Sequence, residues 1–440
     1  MDQRSLVDAV AQAWRRLPAT PVTWIAWSGG ADSTALLLLA LECKMRGFLN
    51  DVRALHVDHG LHPDAGHWAR HCRENADRLG VLLQVCRVSV ARAQGVEAAA
   101  REARYRAFAE VMAPGEGVVT AHHQDDQAET LVLRLMRGAG VAGLASMQAA
   151  RPFANGWLLR PLLDVPGALL KGWLEERGVS WIDDPMNCDP HLDRIYVRQH
   201  VLPLLQARWP AATRLLARAA KHQAQAARAL DGMYCAKELT STALAAMAPA
   251  ERVPALRAWL RANAVPSPSA RKLAEMVRQM AEARRDKNPA IRFGRHCLRR
   301  YRGTLYVERD APNIQPGTRY AWRGEARLEL PAGVFWAKRC TGEGLDERLA
   351  HSCHAELRFR EGGERCRLSG AKTTRSLKSL LQEWGIPPWE RQRLPLVYLD
   401  GQLAAVPGYA VFHGFGVPPR GIGLRLRWQR YGQAEDTLWG

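Results

Sequence analysis

Trp24-Ile25-Ala26-Trp27-Ser28-Gly29-Gly30-Ala31-Asp32-Ser33-Thr34 is the stretch on which the fold turns. The apolar run Val22–Trp27 reads as a buried strand, and Thr34–Arg46, with its leucines, as the helix that follows. Between them stands S-G-G-x-D-S. The two glycines open backbone dihedrals closed to other residues and let a ligand come close to the main chain. Successive N–H groups ahead of a helix form a nest for an anion, here phosphate, and Ser28 and Ser33 add hydroxyl donors. Asp32 is out of place in a pure phosphate site, because a carboxylate repels phosphate. It makes sense where it holds Mg2+ against pyrophosphate. The plainer alternative is an ordinary strand–turn–helix connection. The segment is not a Walker loop, since no G-x-x-x-x-G-K is present.

Outward from this loop, strand-like and helix-like segments alternate. Val52–His59 and Val118–His122 read as strands and Glu97–Met112 and Gln124–Arg137 as helices. Leu158–Leu163 and Leu169–Arg177 continue the series. Such alternation predicts an α/β fold with a doubly wound parallel sheet, whose ligands bind at the carboxyl ends of the strands. This catalytic domain is expected over residues 1–210. Over 211–310 the strand signal fades and helical periodicity dominates, in Ala211–Leu230 and Ala270–Arg285, so a helical domain is expected there. Residues 311–440 mix short β-like pieces (Arg327–Leu330, Leu396–Leu399, Ala404–Val406) with one helix, Thr374–Trp384, and read as a small α+β domain.

A second constellation follows the third strand: Thr120-Ala121-His122-His123-Gln124-Asp125-Asp126-Gln127-Ala128-Glu129-Thr130. Asp126 and Glu129 are three apart at a helix start and share a face. At the carboxyl end of a strand, two carboxylates can grip a cationic amine and take its proton during attack, or complete a metal site. They can also simply stabilise a helix N-terminus. Arg101 and Arg104, one helical turn apart in Glu97–Tyr105, could clamp phosphates of ATP or RNA, or form a solvated face. His56-Val57-Asp58-His59 looks like metal ligands at first sight. Extended spacing turns Asp58 away from its neighbours, so a nucleoside-contacting edge is preferred over zinc. Gly138-Ala139-Gly140-Val141-Ala142-Gly143 spells G-x-G-x-x-G but follows a helix, not the strand a dinucleotide loop requires.

Composition narrows the partners. Lys and Arg number 62 against 44 Asp and Glu, a formal charge of +18 over 440 residues, which suits a polyanion such as RNA. The first 17 residues read as an amphipathic helix without the features of a signal peptide. No run of about 18 apolar residues predicts a membrane span. The nine cysteines are scattered, with no C-x-x-C, which argues for reduced thiols, a cytoplasmic setting and no structural zinc.

The phosphate loop resembles the PP-loop of ATP pyrophosphatases, which cleave ATP between the α and β phosphates. SGGADS, HVDHGLH, EAAAREARYRAF, TAHHQDDQAETLVLRLMRGAGVAGLASM and RPLL, in this order over residues 20–205, are together similar to the N-terminal domain of the tRNA(Ile)-lysidine synthetase family. The stretch from Lys378 through Pro387-Pro388-Trp389 to Val406-Pro407-Gly408 is similar to that family's last domain. The resemblance implies an adenine-nucleotide α-hydrolase-like fold and a ligase that uses ATP and Mg2+. ATP adenylates C2–O of the wobble cytidine in a tRNA(Ile) with a CAU anticodon. L-lysine then attacks C2 through its ε-amine and AMP leaves, so that the base pairs with A instead of G.

By the same resemblance, Ser28, Gly29, Gly30, Ala31, Asp32 and Ser33 bind ATP, with Arg101 and Arg104 near the nucleotide. Asp32 meets Mg2+–pyrophosphate, and Asp126 and Glu129 receive lysine. A homodimer is left open. Two positions depart from the family pattern: Met186 stands where Ser is usual and Ile195 where Asn is usual. Arg194, Arg198 and the basic residues Lys372, Arg375 and Lys378 are expected to touch tRNA. The rivals are a tRNA thiolase, which needs a reactive cysteine pair or an iron–sulfur cluster, and a nonenzymatic RNA-binding protein.

Overall fold

The computed structural model describes residues 3–60, 62–89, 96–183, 192–234, 236, 238–282, 288–309 and 314–431. The chain divides into two compact units. One comprises Met1–Ala236, Pro249–Ala262 and Ser269–Leu273, the other Lys237–Ala248, Asn263–Pro268 and Ala274–Gly440.

The first unit runs α1 (Gln3–Arg15), β1 (Val22–Ala26), α2 (Ala31–Met45), β2 (Asp51–Asp58), α3 (Ala65–Leu79), β3 (Leu83–Arg87), α4 (Val96–Val111), β4 (Gly117–Val119) and α5 (Gln124–Met136). It continues with α6 (Val141–Leu144), β5 (Ala150–Phe153), β6 (Gly156–Leu159), α7 (Gly167–Glu175) and α8 (Asp193–Tyr196). A single wide turn, Val197–Val201, then leads into α9 (Leu202–Arg208) and the long α10 (Ala212–Met233).

The sheet order is β3-β2-β1-β4-β6-β5, parallel throughout except for β5 against β6. Burial on both faces explains the continuous apolar strands. Trp24, Val118 and Leu158 are in register and bury on one face with Phe108 of α4 and Met112 just beyond it. Their successors Ile25, Val119 and Leu159 bury on the other with Leu36, Leu37 and Leu39 of α2. The apolar side of α1 (Leu6, Val7, Val10, Trp14) packs into that second core.

Strand order reverses at β1. Its chain leaves for β2 on one side, while β4 lies on the other, so the loops after β1 and β4 part company and leave a crevice at their carboxyl ends.

The second unit is richer in strand than the sequence suggested. Ala290–Phe293, His296–Tyr301 and Thr304–Arg309 form an antiparallel three-stranded sheet inside the stretch expected to be helical. Its arginines hid the apolar alternation. Arg302 and Gly303, both at positive φ, make the tight hairpin turn. Beyond it, five- and four-stranded sheets enclose Trp322, Phe335, Leu357, Phe359 and Val397. The expected helix over Thr374–Trp384 is shorter, Leu377–Glu383, because Ser376 caps it by accepting the Ser379 N–H at 3.2 Å. Arg375 sits in a short strand ahead of the cap and not on the helix.

Candidate active site at the strand-order reversal

The phosphate loop forms as its glycines require. Gly29 has φ +88°, and a Cβ there would lie 2.6 Å from Ile182 Cδ1, so this position accepts no side chain. Gly30 is the N-cap of α2 in extended geometry, leaving the first N–H groups of the helix free to face the crevice. Ser33 Oγ donates to the Gly30 carbonyl at 3.0 Å, accepts the Ser28 N–H at 3.2 Å and lies 3.0 Å from Ser28 Oγ. Thr34 Oγ1 donates to the Gly29 carbonyl at 3.3 Å and accepts the Trp27 indole N–H at 3.0 Å. The Ile182 N–H closes the loop from outside on the Gly29 carbonyl at 2.9 Å. Asp32, nearly half exposed, stands over this nest from the first turn of α2.

Across the crevice, His123 stands at the N-cap position of α5, and its backbone N–H donates to Asp126 Oδ2 at 3.0 Å. Its Nδ1 lies 3.2 Å from Asp125 Oδ2, and its Nε2 lies 3.5 Å from Asp32 Oδ2 and 3.6 Å from Asp126 Oδ2. Burial opposes its proton, but hydrogen bonds to Asp125 and Asp32 and the charges of Asp126 and Asp32 outweigh it. The imidazole is pushed up to about 10. A doubly protonated ring cannot accept the Asp125 N–H that lies 3.3 Å from Nδ1, so Nδ1 is the donor to the Asp125 carboxylate. The neighbouring His122 is the opposite case. Burial foremost, then Arg160, Arg194 and Arg101 against the pull of Asp126, bring it down to about 3, and it lies 2.8 Å from Thr120 Oγ1.

Asp126 and Glu129 share one buried face of α5, and both are clasped by arginines. Arg194 reaches Asp126 at 2.6 Å and Glu129 at 2.7 Å, and Arg198 reaches them at 3.1 and 2.6 Å. Glu129 has no exposed side-chain surface. Burial works against the Asp126 charge, yet His123 and Arg194 hold its carboxyl below the ordinary range. Both arginines are therefore counter-ions of the carboxylates, contrary to the expectation that they are contacts offered to tRNA. Their i, i+4 spacing matched the i, i+3 spacing of the carboxylates and could have signalled the clasp. Arg198 lies in the wide turn Val197–Val201, and Ile195 beside Arg194 is buried. Met186 lies outside the described residues.

Other candidates fall at the rim. His56 is buried, with Nδ1 2.9 Å from the Trp27 carbonyl, and so ties the ends of β1 and β2. Arg104 Nε donates to His59 Nε2 at 3.3 Å, and burial brings His59 down to about 4. Arg101 lies against Tyr105, its Nη2 3.4 Å from the hydroxyl. No group of three or more His, Cys, Asp or Glu among the described residues is arranged to hold a metal. Burial pushes the Cys43, Cys72 and Cys366 thiols up to about 11, 12 and 11, so they lack thiolate character at neutral pH. Gly138 follows α5 and Gly140 caps α6, so the G-x-G-x-x-G stretch connects two helices. No helix among the described residues is long and apolar enough to cross a membrane.

A doubly wound sheet with a glycine–serine anion nest and an acidic aspartate at its reversal point defines a PP-loop ATP-binding domain, and the model of the PP-loop domain matches residues 4–205. Models of the TilS substrate binding domain and the TilS substrate C-terminal domain match residues 239–306 and 355–428. The chain is 38% identical to the tRNA(Ile)-lysidine synthase of Methylococcus capsulatus, over 92% of this chain and 95% of that protein. It is 39% identical to that of Xanthomonas campestris pv. campestris, over 96% and 98%, and 39% identical to that of Salmonella typhimurium, over 88% and 92%. The chain belongs to the tRNA(Ile)-lysidine synthase family, and is thus a tRNA-modifying enzyme of ligase type. The thiolase and nonenzymatic alternatives give way to this membership.

Proposed function

We propose that this chain joins the ε-amine of L-lysine to C2 of the wobble cytidine of tRNA(Ile), spending ATP to AMP and diphosphate through an adenylated base. The observation that carries this reading is the juxtaposition at the sheet reversal. A nest for phosphate (Ser28–Ser33) faces a buried carboxylate pair (Asp126, Glu129), with Asp32 and protonated His123 between them.

The nest amides and the Ser28 and Ser33 hydroxyls would hold the triphosphate. The Asp32 carboxylate has one oxygen 3.5 Å from the His123 ring but is half-exposed, so its open side fits a cation that takes most of its other ligands from phosphate and water. Mg2+ bound there would neutralise charge on the departing pyrophosphate. Arg104, on the β2 side with His59, serves ATP.

Adenylation turns C2–O of cytidine into a leaving group. The incoming lysine is protonated in water, with a pKa of about 10.4, and needs a local base. Asp126 and Glu129 can both receive the ammonium and accept its proton. Because two guanidinium groups already match these two carboxylates, the lysine ammonium must displace one of them. Arg198, the more exposed of the two, is the easier to move.

The test supplies the protein with ATP, labelled lysine and total tRNA. Label should enter RNA only when ATP is present, with AMP released in step, and Asp32→Ala should abolish both. ATP-independent labelling, or AMP release without labelling, would defeat the proposal.

A further inference from the structure

Three arginines of the first unit converge on Tyr105 with no carboxylate among them. The Arg101 guanidinium lies 5.1 Å from the Tyr105 ring centre and that of Arg151 lies 5.7 Å from it. Arg160, on the residue after β6, is 4% exposed. Its Nη1 donates to the Gln148 carbonyl at 2.8 Å, while its buried Nε has no partner. Burial weighs most against its charge. Tyr105 supports it, and the like charges of Arg151 and Arg101 oppose it. Among the described residues, none of the three forms an ion pair with Asp or Glu. A buried arginine is ordinarily paired, because desolvating an unmatched guanidinium costs several kcal/mol. A buried guanidinium with an unpartnered Nε, flanked by two more arginines, is chemically suited to an anion.

Its position says which anion. β6 is two places from β1 in the sheet, with β4 between, so the backbone at Arg160 is about 10 Å across the sheet from that of β1 at the usual strand spacing. It is also on the far side from β2, where Arg104 and His59 meet. His122, 2.8 Å from Thr120 Oγ1 at the end of β4, feels the charges of Arg160 and Arg101 as well as those of Asp126 and Arg194. An anion at the cluster is thus set off from the phosphate loop and lies on the same side of β1 as β4, whose following helix carries the Asp126–Glu129 pair.

We infer that Arg101, expected from the resemblance to lie near the nucleotide, instead joins Arg151 and Arg160 around Tyr105 in a phosphodiester site that grips the RNA backbone beside the nucleotide being modified. The inference rests on the proposed reaction and adds the residues that present its RNA substrate. Planar guanidiniums suit it, since each offers a fork of donors to two phosphate oxygens.

The experiment uses the full chain and two RNAs, a tRNA(Ile) transcript with a CAU anticodon and its anticodon stem–loop. Arg151→Gln and Arg160→Gln should each weaken transcript binding about tenfold and lower the slope of log Kd against log salt by about one. The KM for ATP should stay unchanged, and Arg151→Lys should retain the slope. A stem–loop with uncharged methylphosphonates flanking the target cytidine should bind the wild type about tenfold more weakly than the unmodified stem–loop. It should show no further loss with Arg151→Gln.

Unchanged binding and slope in Arg151→Gln overturn the inference, and so does a raised KM for ATP with unaltered RNA binding, which would give the cluster to the nucleotide. If Arg160→Gln fails to fold, the half-buried Arg151 still decides. Wild-type protein that transfers no lysine sinks the proposed reaction itself, whereas transfer with an indifferent Arg151→Gln sinks only this site.

Discussion

His123 shows how one proton organises the crevice. Its ring nitrogens reach Asp32, Asp125 and Asp126, three carboxylates that would otherwise repel one another. In an unfolded chain a histidine releases its proton near pH 6.5, but here it is held to about 10. Between these limits the folded state binds more protons than the unfolded one, so stability falls as pH rises through that window. The contribution of His123 is full below about pH 6.5, on the order of a few kcal/mol, and is lost by about pH 10. His123→Gln should therefore cost most near pH 6, and its difference from wild type in urea unfolding should shrink steadily toward pH 10. A difference independent of pH would show that the ring is neutral. His122 and His59 act with the opposite sign. Held down to about 3 and 4, they stay neutral in the folded chain, so stability is lost as pH falls from about 6.5 toward those values.

Between elements, the contact that matters most joins α5 to α8 and the turn after it. Four ion pairs bind Asp126 and Glu129 to Arg194 and Arg198, and Glu129 is wholly buried. Removing one charge leaves its partners unmatched in a poor solvent, so Glu129→Gln should destabilise the first unit by about 3–5 kcal/mol. It should also abolish lysine transfer while leaving ATP binding intact. Calorimetry and nucleotide binding check the two parts separately, and loss of ATP binding would show that the clasp also supports the phosphate loop. At the loop, Gly29→Ala would combine a left-handed φ with a Cβ 2.6 Å from Ile182. A loss of about 1–3 kcal/mol and of ATP binding is expected, read from a melt with and without ATP. Unaltered ATP binding would mean that the backbone nest tolerates a side chain.

The same elements show what sequence could reveal. The loop and the Asp126–Glu129 pair were legible because each is local, carried by a few successive residues on one strand–helix junction. The arginine clasp was legible only as two matching helical spacings, because Arg194 lies 65 residues from Glu129 and only the fold brings them together. The sequence between residues 60 and 96 shows no clear strand or helix pattern, although α3 and β3 lie there. β3 is the edge strand, half exposed, and so lacks the apolar run of its neighbours.

For the whole molecule, the formal charge of +18 raises the question of which cations are free to meet RNA. Many are spent internally. In the second unit Arg375 pairs with Glu383 at 2.6 Å, and Arg430 with Glu390 at 2.5 Å. Lys372 and Lys378 are exposed and bound in no ion pair among the described residues, one before the helix Leu377–Glu383 and one on it. A phosphate contact at each would release about one counterion per lysine on binding. The double variant Lys372→Glu, Lys378→Glu should therefore weaken binding of full-length tRNA and flatten its slope against log salt by about two. Its melting temperature should stay unchanged, since neither side chain is buried. Binding of the isolated anticodon stem–loop should be unaffected where these lysines meet the tRNA outside its anticodon arm. Equal weakening with both RNAs would place these lysines near the anticodon instead. An unchanged slope with full-length tRNA would mean that the phosphates are met elsewhere, and that this basic surface serves only to keep the chain solvated.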